Sequence, residues 1–457
     1  MKNTTKRKLY RYLLLAAVLV GAVLTIAVFF HWRREGALLG DWMGGELFRA
    51  AAVFFVMIPV LLSLLLAVLL RQKKGEAPGT VTPDMPISDT SDEEEAESEE
   101  NRVRFCMLSG IDKNRAHYGH AQYEKDMMLE RFCEDFRNYA AGKLKLYYSI
   151  EEIRSFVSGL AVSKIVILQG MSGTGKTSLA HAFGAFTDNP ATVIPVQPMW
   201  KERTDLIGYY NEFTGRFNET LLLQKMYEAN YSGDMYVTVL DEMNIARVEY
   251  YFAEFLSLLE LPNPDERYID VVSDKRENDP EQLRDGRLRL PENMWFIGTA
   301  NNDDSTFAIS DKVYDRAMLL NLDGKCERFA APPTEKKPIS SAQFRALTAQ
   351  ALREYGVSRR NLSRLEELDR YLIEHFRVTF GNRISRQIRE YVAVYVSCGG
   401  TELEALDDIL SKKVLRKLET QNPIYLRRAA EGLDTFLDEL FGEKRMPKCK
   451  ECVKRFL

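Results

Sequence analysis

A glycine-rich turn joins an apolar stretch to a helical pattern in the segment IVILQGMSGTGKTSLAHAFGAF, residues 165–186, and few folds can accommodate it. Residues 165–168 have the composition of a short, fully buried parallel strand, and residues 177–186 have the apolar spacing of a helix. Glycine tolerates the backbone angles that point successive N–H groups into one concavity, where they and the helix N-terminus can hold phosphates. The segment therefore predicts a phosphate-binding loop in an α/β fold.

The residues of this turn are predicted to contact a nucleotide. We expect the ammonium of Lys176 to reach the β- and γ-phosphates and the hydroxyl of Thr177 to ligate magnesium. The turn itself would supply the remaining contacts. The predicted set is Gly170, Ser172, Gly173, Thr174, Gly175, Lys176, Thr177 and Ser178.

Two adjacent carboxylates follow a second apolar strand in MYVTVLDEMNIARVEYYFAEFLSLLE, residues 235–260. Residues 237–240 predict a buried strand that ends at Asp241 and Glu242. Ligands of open α/β sheets bind at the carboxyl ends of the strands, so both carboxylates should face the phosphates. Asp241 suits the magnesium shell, usually through water, and Glu242 suits polarisation of an attacking water.

A third strand pattern begins WFIGTANNDDSTFAISDKVYDRAMLLNL, residues 295–322. Residues 295–298 predict a strand that continues to Thr299, Ala300 and Asn301, and a polar side chain there could orient the lytic water. Arg316 is predicted to follow in a short helix.

The order of these motifs resembles that of AAA+ ATPases, in particular the dynein-related branch that contains McrB-type and MoxR-type proteins. Residues 205–230, DLIGYYNEFTGRFNETLLLQKMYEAN, resemble the segment that those proteins carry between their two Walker motifs. DEMNIARVEYYFAEFLSLLE, residues 241–260, resembles their extended Walker B helix. The resemblance covers roughly residues 150–400.

The resemblance implies roles for three further side chains. Asn301 would be sensor 1, and Arg316 would be an arginine finger that reaches a neighbouring subunit's nucleotide. In GNRISRQIREYV, Arg386 is the first choice for sensor 2 and Arg383 the second. Structural readings remain open for each, because an asparagine often caps a helix and an arginine often lies on a solvated helix face.

The resemblance also implies a cofactor pair, ATP and Mg²⁺, and an oligomeric ring, hexameric by analogy. McrB-type GTPases carry an Asp and an Arg after their TAN-like segment. Here Asp304 matches that Asp, but Ser305 stands where the Arg would be. This departure weakens the transfer of GTP preference, so ATP is the expected nucleotide.

Two charge-free stretches, residues 12–30 and 50–70, are each long enough to cross about 30 Å of hydrocarbon. The first exceeds the apolar region of a typical secretory signal, and a buried core hairpin is the alternative to two membrane spans. Lys/Arg residues precede the first span and follow the second, so both termini are expected in the cytoplasm, with a short external hairpin. The sequence thus predicts a multi-pass protein of the cell membrane whose nucleotide-binding part is cytoplasmic.

Charge separates the rest of the chain into an acidic linker and a nearly neutral body. Residues 75–101 carry ten acids and no base and lack aromatics, which is typical of a flexible spacer. The whole chain has a net charge of −4 and residues 102–457 one of −2. Nucleic-acid binding by bulk charge needs clustered Lys/Arg, so direct contact with nucleic acid is not expected. Cys449 and Cys452 form a single CxxC, which could be half of a zinc site or a redox pair.

The predicted fold is an α/β P-loop NTPase of the AAA+ type, with a parallel-sheet core, a C-terminal all-helical lid and a two-helix transmembrane hairpin before them. The lid would contain long amphipathic helices over residues 362–376, 384–396 and 403–418. The predicted division is residues 1–74 for the anchor, 75–102 for the linker, 103–335 for the core with a mixed lead-in, and 336–457 for the lid and tail.

The expected function is ATP hydrolysis in a ring that remodels a protein partner. Two alternatives are an NTP-driven motor of the McrB type, possibly using GTP and coupled to a separate nuclease, and a nucleotide-gated membrane scaffold. Glu242, Asn301 and Arg316 together favour turnover over scaffolding, because each of these residues chiefly serves hydrolysis.

Overall fold

The structure, a computed structural model, describes residues 103–120, 122–301, 306–322, 324 and 326–455. The predicted membrane spans, 12–30 and 50–70, and the acidic linker lie outside these residues, as do Asp304 and Ser305. Within the described ranges, no helix is both long and apolar enough to cross a membrane.

Five parallel strands form the central sheet, in the order β10-β1-β9-β5-β2. Each predicted strand is present. Each is one to three residues longer than its apolar pattern at one or both ends. At the carboxyl ends, polar residues continue the hydrogen-bonded ladder. In the register, Ile167 lies opposite Gly298, and Leu168 lies opposite Thr299. The strands are β1 Ile165–Gly170, β2 Thr192–Pro195, β5 Tyr236–Asp241, β9 Met294–Asn301 and β10 Met318–Asn321.

Two small antiparallel sheets lie outside this ladder. One is the hairpin of β3 and β4, and the other has the order β6-β8-β7. Their bounds are β3 Tyr210–Asn211, β4 Arg216–Phe217, β6 Tyr268–Asp270, β7 Leu283–Arg284 and β8 Arg287–Arg289.

Helices cover both faces of the central sheet, and three of them begin with a capping box. The side chains of Ser149, Ser340 and Thr401 each accept a hydrogen bond from the backbone N–H three residues on, and the Glu or Gln side chain at that position accepts one from the backbone N–H of the cap residue. The helices are α1 Cys106–Lys113, α2 Leu129–Leu144, α3 Ile150–Val162, α4 Lys176–Phe186, α5 Thr204–Ile207, α6 Leu221–Ala229, α7 Val248–Tyr251, α8 Ala253–Leu258, α9 Asp311–Tyr314, α10 Ser341–Glu354, α11 Arg359–Phe376, α12 Gly381–Ser397, α13 Glu402–Ile409, α14 Pro423–Phe441 and α15 Pro447–Lys454.

The sheet separates two apolar cores, because alternate side chains of each strand point to opposite faces. Val166 and Leu168 of β1 pack with α2, α3, α4 and the C-terminal helices. Ile165 and Ile167 pack on the other face with α1, α6 and α8. This burial on both sides explains why the strands read as nearly continuous apolar runs. The α/β parallel-sheet core and a helical C-terminal region are therefore confirmed.

Three predicted helical segments are wrong in detail. The 403–418 pattern does not form one helix: α13 ends at Ile409 and gives way to a π-helical turn, Leu410–Val414, and a 3₁₀ turn, Leu415–Thr420. In the π-helical turn, the ammonium of Lys412 donates a hydrogen bond to the carboxylate of Asp408, and that of Lys413 donates to a backbone carbonyl oxygen of the core. The extended helix after β5 is broken into a 3₁₀ turn, Met243–Ile245, then α7 and α8.

Arg316 also lies outside its predicted helix. Helix α9 ends at Tyr314, and the N–H of Arg316 donates to the carbonyl of Val313 in the turn that leads to β10. The turn is short because the chain must re-enter the sheet at Met318.

Among the described residues, six ion pairs join residues 336–455 to the part of the chain around the sheet. In each, the cation belongs to the C-terminal part and the carboxylate to the sheet part. The pairs are Lys336 with Asp188, Lys337 with Glu124, Arg345 with Glu292, Arg383 with Glu260, Arg416 with Asp311 and Lys417 with Asp315.

Candidate functional site

The glycine-rich turn forms a tight loop between β1 and α4. Gly170 has a φ of 152°, and a Cβ at this position would lie 2.3 Å from the carbonyl oxygen of Leu322. Gly175, the N-cap of α4, has a φ of 90° in the left-handed region. Both positions therefore require glycine, and the loop backbone closes onto the N-terminus of a helix, as a phosphate-binding loop does.

Lys176 lies within this loop. Its ammonium donates to the carbonyl oxygens of Gly170, at 2.9 Å, and Met171, at 2.8 Å, and the residue is 7% exposed. Thr174 donates its hydroxyl to Met171, Ser172 is exposed, and Ser178 is half-buried. The arrangement puts one positive charge at the concavity where phosphates would bind.

Asp241 connects three elements at the carboxyl edge of the sheet. Its Oδ1 accepts hydrogen bonds from the hydroxyl of Thr177 on α4, at 2.7 Å, and from that of Thr299 on β9, at 2.8 Å. Carboxylate and hydroxyl oxygens are the donors that magnesium prefers. The two residues predicted to hold magnesium, Thr177 and Asp241, are thus in direct contact, and their donor set fits that ion.

Glu242 follows in a conformation that is uncommon for a residue with a side chain. Its φ and ψ are 52° and 47°, and its N–H donates to the hydroxyl of Thr299 at 2.8 Å. A left-handed residue costs free energy that the surrounding structure must supply, and such residues cluster at functional sites. The turn leaves the Glu242 side chain exposed beside Asp241.

Asn301 ends β9, next to the turn that begins at Glu242. Its backbone carbonyl accepts from the side-chain amide of Asn244 at 3.0 Å, and its N–H donates to the Asn244 amide oxygen at 3.4 Å. The Asn244 amide also donates to Thr306 and Phe307. The ends of β5 and β9 are therefore tied together.

The candidate arginines separate into two locations. Arg316 and Arg383 both contact the carboxylate of Glu260, whereas Arg386 is 72% exposed and lies 3.7 Å from Glu390 on its own helix. The structure thus brings the second choice for sensor 2, not the first, next to Arg316.

Sequence reasoning missed Thr299, Asn244 and Glu260 as contributors to this region. Thr299 and Asn244 stood in the quoted motifs, but only the register of β9 against its neighbours shows their partners. Glu260 also stood in a quoted motif, as its last residue, but its partners lie 56 and 123 residues further along the chain.

A polar cavity of about 340 Å³ opens at the carboxyl ends of β1 and β10, where Gln169 and Asn321 line it. Ser149, the N-cap of α3, lines it as well, and the C-terminal region supplies Asp408 and Lys412. Two lysines, Lys412 and Lys448, hold the pKa of the fully buried Asp408 below its usual range, against the effect of burial. The cavity wall is therefore an ion-paired surface that ties α3 to the C-terminal region.

Two family models match the chain. Residues 165–317 match an AAA domain of the dynein-related subfamily, and residues 336–457 match a domain of unknown function, DUF8727. The limits predicted for the anchor, linker, core and lid stay a prediction.

One curated relative is the EcoKMcrB subunit of a type IV methyl-directed restriction enzyme from Escherichia coli strain K12. It is 26% identical over 166 residues, which are 35% of this chain and 35% of the relative. The chain therefore matches only about a third of that protein's length.

A solved structure of a proposed ATPase from Cytophaga hutchinsonii covers 76% of this chain and 97% of its own, at 13% identity and a TM-score of 0.43. A similarity this loose supports no conclusion about activity. The family match and the geometry of the loop agree: residues 165–317 match an AAA domain of the dynein-related subfamily, and the loop within them has the form of a phosphate-binding loop.

Proposed function

We propose that this protein binds ATP with Mg²⁺ at the loop of Lys176 and hydrolyses it, and that it uses the hydrolysis to remodel a protein partner. The contact that carries the proposal is the carboxylate of Asp241 between the hydroxyls of Thr177 and Thr299. It fixes a magnesium-type donor set at the mouth of the glycine-rich loop, with Glu242 next in the chain. Magnesium there would neutralise phosphate charge, while Glu242 would polarise the attacking water.

Two substitutions separate binding from hydrolysis. Lys176→Ala should abolish ATP binding, because the ammonium offsets the charge of the triphosphate. Glu242→Gln should keep binding and lose turnover by about 100-fold or more, because it removes only the group that polarises water. Binding is measured with a fluorescent ATP analogue and turnover by phosphate release. Equal loss of binding in both variants would contradict this division of roles.

We extend the proposal to assembly and location. Arg316 acts on the nucleotide of a neighbouring copy, within a homo-oligomeric ring that is hexameric by analogy. Residues 12–30 and 50–70 anchor the chain in the cell membrane, with the ATPase part on the cytoplasmic side. The motif order and the charge-free stretches support these proposals.

A second candidate is an NTP-driven motor coupled to a separate nuclease. The restriction-enzyme relative favours it, since that relative is a subunit of a methyl-directed restriction enzyme. Turnover of ATP and GTP at equal concentration separates the candidates. A preference for GTP, together with co-purification of a nuclease, would favour the motor over the remodelling ATPase.

A further inference from the structure

One carboxylate holds two of the candidate arginines. Oε2 of Glu260 lies 2.7 Å from Nη2 of Arg316, and Oε1 lies 2.6 Å from Nη2 of Arg383. The side chain of Glu260 is 28% exposed. Arg316 lies within residues 165–317 and Arg383 in the C-terminal helices, so a single carboxylate contacts an arginine of each part.

Glu260 is fixed to the same strands as the magnesium-type donors. It follows α8, and its N–H donates to the carbonyl of Ser257. Phe255 of α8 is fully buried and packs against Phe296 of β9, with ring centroids 5.4 Å apart. Helix α8, which Glu260 follows, therefore packs on the strand that also carries Thr299.

The pair of arginines keeps a capacity for an anion. Two guanidiniums against one carboxylate leave one positive charge. Arg416 and Lys417 lie close by and pair with Asp311 and Asp315. Arg316 also donates to the carbonyl of Lys312, yet its buried Nε–H has no partner among the described residues.

We propose that Glu260 is a positioning residue for ATP hydrolysis, which directs the guanidiniums of Arg316 and Arg383 toward nucleotide phosphates. The inference rests on the proposed function. Without the carboxylate, the two guanidiniums would repel each other. They would then move out of the positions in which they stabilise charge in the transition state. Ground-state binding, which depends on Lys176 and the loop, would not change.

The test compares Glu260→Gln with Glu254→Gln in the full-length chain. Glu254 is a matched control, because it lies on α8, is 31% exposed and pairs with an arginine, Arg203. Glu260→Gln should lower kcat for ATP by about 10-fold or more, with KM and thermal midpoint unchanged. Glu254→Gln should keep the kcat of the wild type.

A second measurement separates positioning from a structural role. In a chain that carries Arg316→Ala and Arg383→Ala, adding Glu260→Gln should cause no further loss, because its effect passes through those arginines. An unchanged kcat in Glu260→Gln, an equal loss in Glu254→Gln or an additive loss in the triple variant would overturn the inference alone. A wild-type chain without Lys176-dependent turnover would overturn the proposed function as well.

Discussion

At the level of single residues, Thr299 shows how the site depends on one hydroxyl. The hydroxyl donates to Asp241 and accepts from the N–H of Glu242, so it orients one carboxylate and holds the unusual backbone of the next residue. Both contacts are to groups predicted to act on the nucleotide. The side chain that makes them lies within an apolar strand, where the sequence alone does not indicate that a threonine has a role in the site.

Thr299→Val should therefore lower ATP turnover by about 10-fold, because valine keeps the shape and removes both hydrogen bonds. Thr238→Val is the control. Thr238 is 1% exposed in the adjacent strand, and its hydroxyl has no partner among the described residues, so its loss should leave turnover unchanged and stability equal or higher. Equal turnover in the two variants, measured by phosphate release, would contradict the role given to Thr299.

The motif residues could be predicted from sequence because their chemistry is local. Glycines at fixed spacing, a lysine and a hydroxyl specify the loop wherever a strand and a helix flank it, and Asp241 follows a strand that its own apolar run identifies. Glu260 could not be found in this way. Its importance depends on where Arg316 and Arg383 arrive in space.

At the level of elements, the π-helical turn Leu410–Val414 connects the C-terminal helices to the core. Lys413 is 4% exposed and donates to the carbonyl oxygens of Tyr314, at 2.8 Å, and Asp315, at 3.2 Å. These residues immediately precede Arg316. Any shift of this turn would therefore act directly on the backbone that carries Arg316.

Lys413 should also make stability depend on pH. Burial lowers the pKa of its ammonium to about 7, from an ordinary value of 10.5. Between these values the folded chain binds fewer protons than the unfolded chain, so the free energy of unfolding rises with pH. Compared with Lys413→Met, the wild type should gain up to about 1.4 kcal/mol per pH unit in that window. Urea unfolding at pH 7, 8 and 9 measures the difference. Parallel pH profiles would contradict it.

Strands were easier to predict than helix interruptions for a physical reason. A strand buried on both faces shows as an apolar run whatever its neighbours are. The break after Ile409 leaves the 3.6-residue pattern almost intact. It lets Lys413 donate to carbonyl oxygens that lie about a hundred residues away in the chain. The spacing of apolar residues shows only which face of a helix is apolar, and it does not reveal such contacts.

At the level of the whole molecule, assembly should be visible in turnover. If Arg316 acts on a neighbouring copy, specific activity rises with protomer concentration. Mixing Arg316→Ala chains with Lys176→Ala chains should then restore part of the activity, because the first still bind ATP and the second still offer an arginine. The effect of an arginine finger can reach 10³-fold or more. No recovery on mixing, under conditions where light scattering shows association, would leave the ring unsupported.

The membrane proposal predicts a distinct protection pattern. Protease added outside spheroplasts should spare residues 75–457, because the basic flanks of both apolar stretches favour the cytoplasm. An epitope tag at the C-terminus reports survival by immunoblot, and lysed spheroplasts provide the control in which the tag is lost. Cleavage in the acidic linker of intact spheroplasts would place the ATPase part outside.

The one-directional ion pairs between the sheet part and residues 336–455 bear on how such a protein can change over evolutionary time. Because every cation of the six pairs lies on the C-terminal side, a substitution at one of these positions in either part removes a pair unless the other part changes as well. A hybrid gene that joins residues 165–317 and their surroundings to the helices of a distant relative would lose the C-terminal cations that pair with Glu124, Asp188, Glu260, Glu292, Asp311 and Asp315. The two parts should therefore be inherited together, as one unit of recombination.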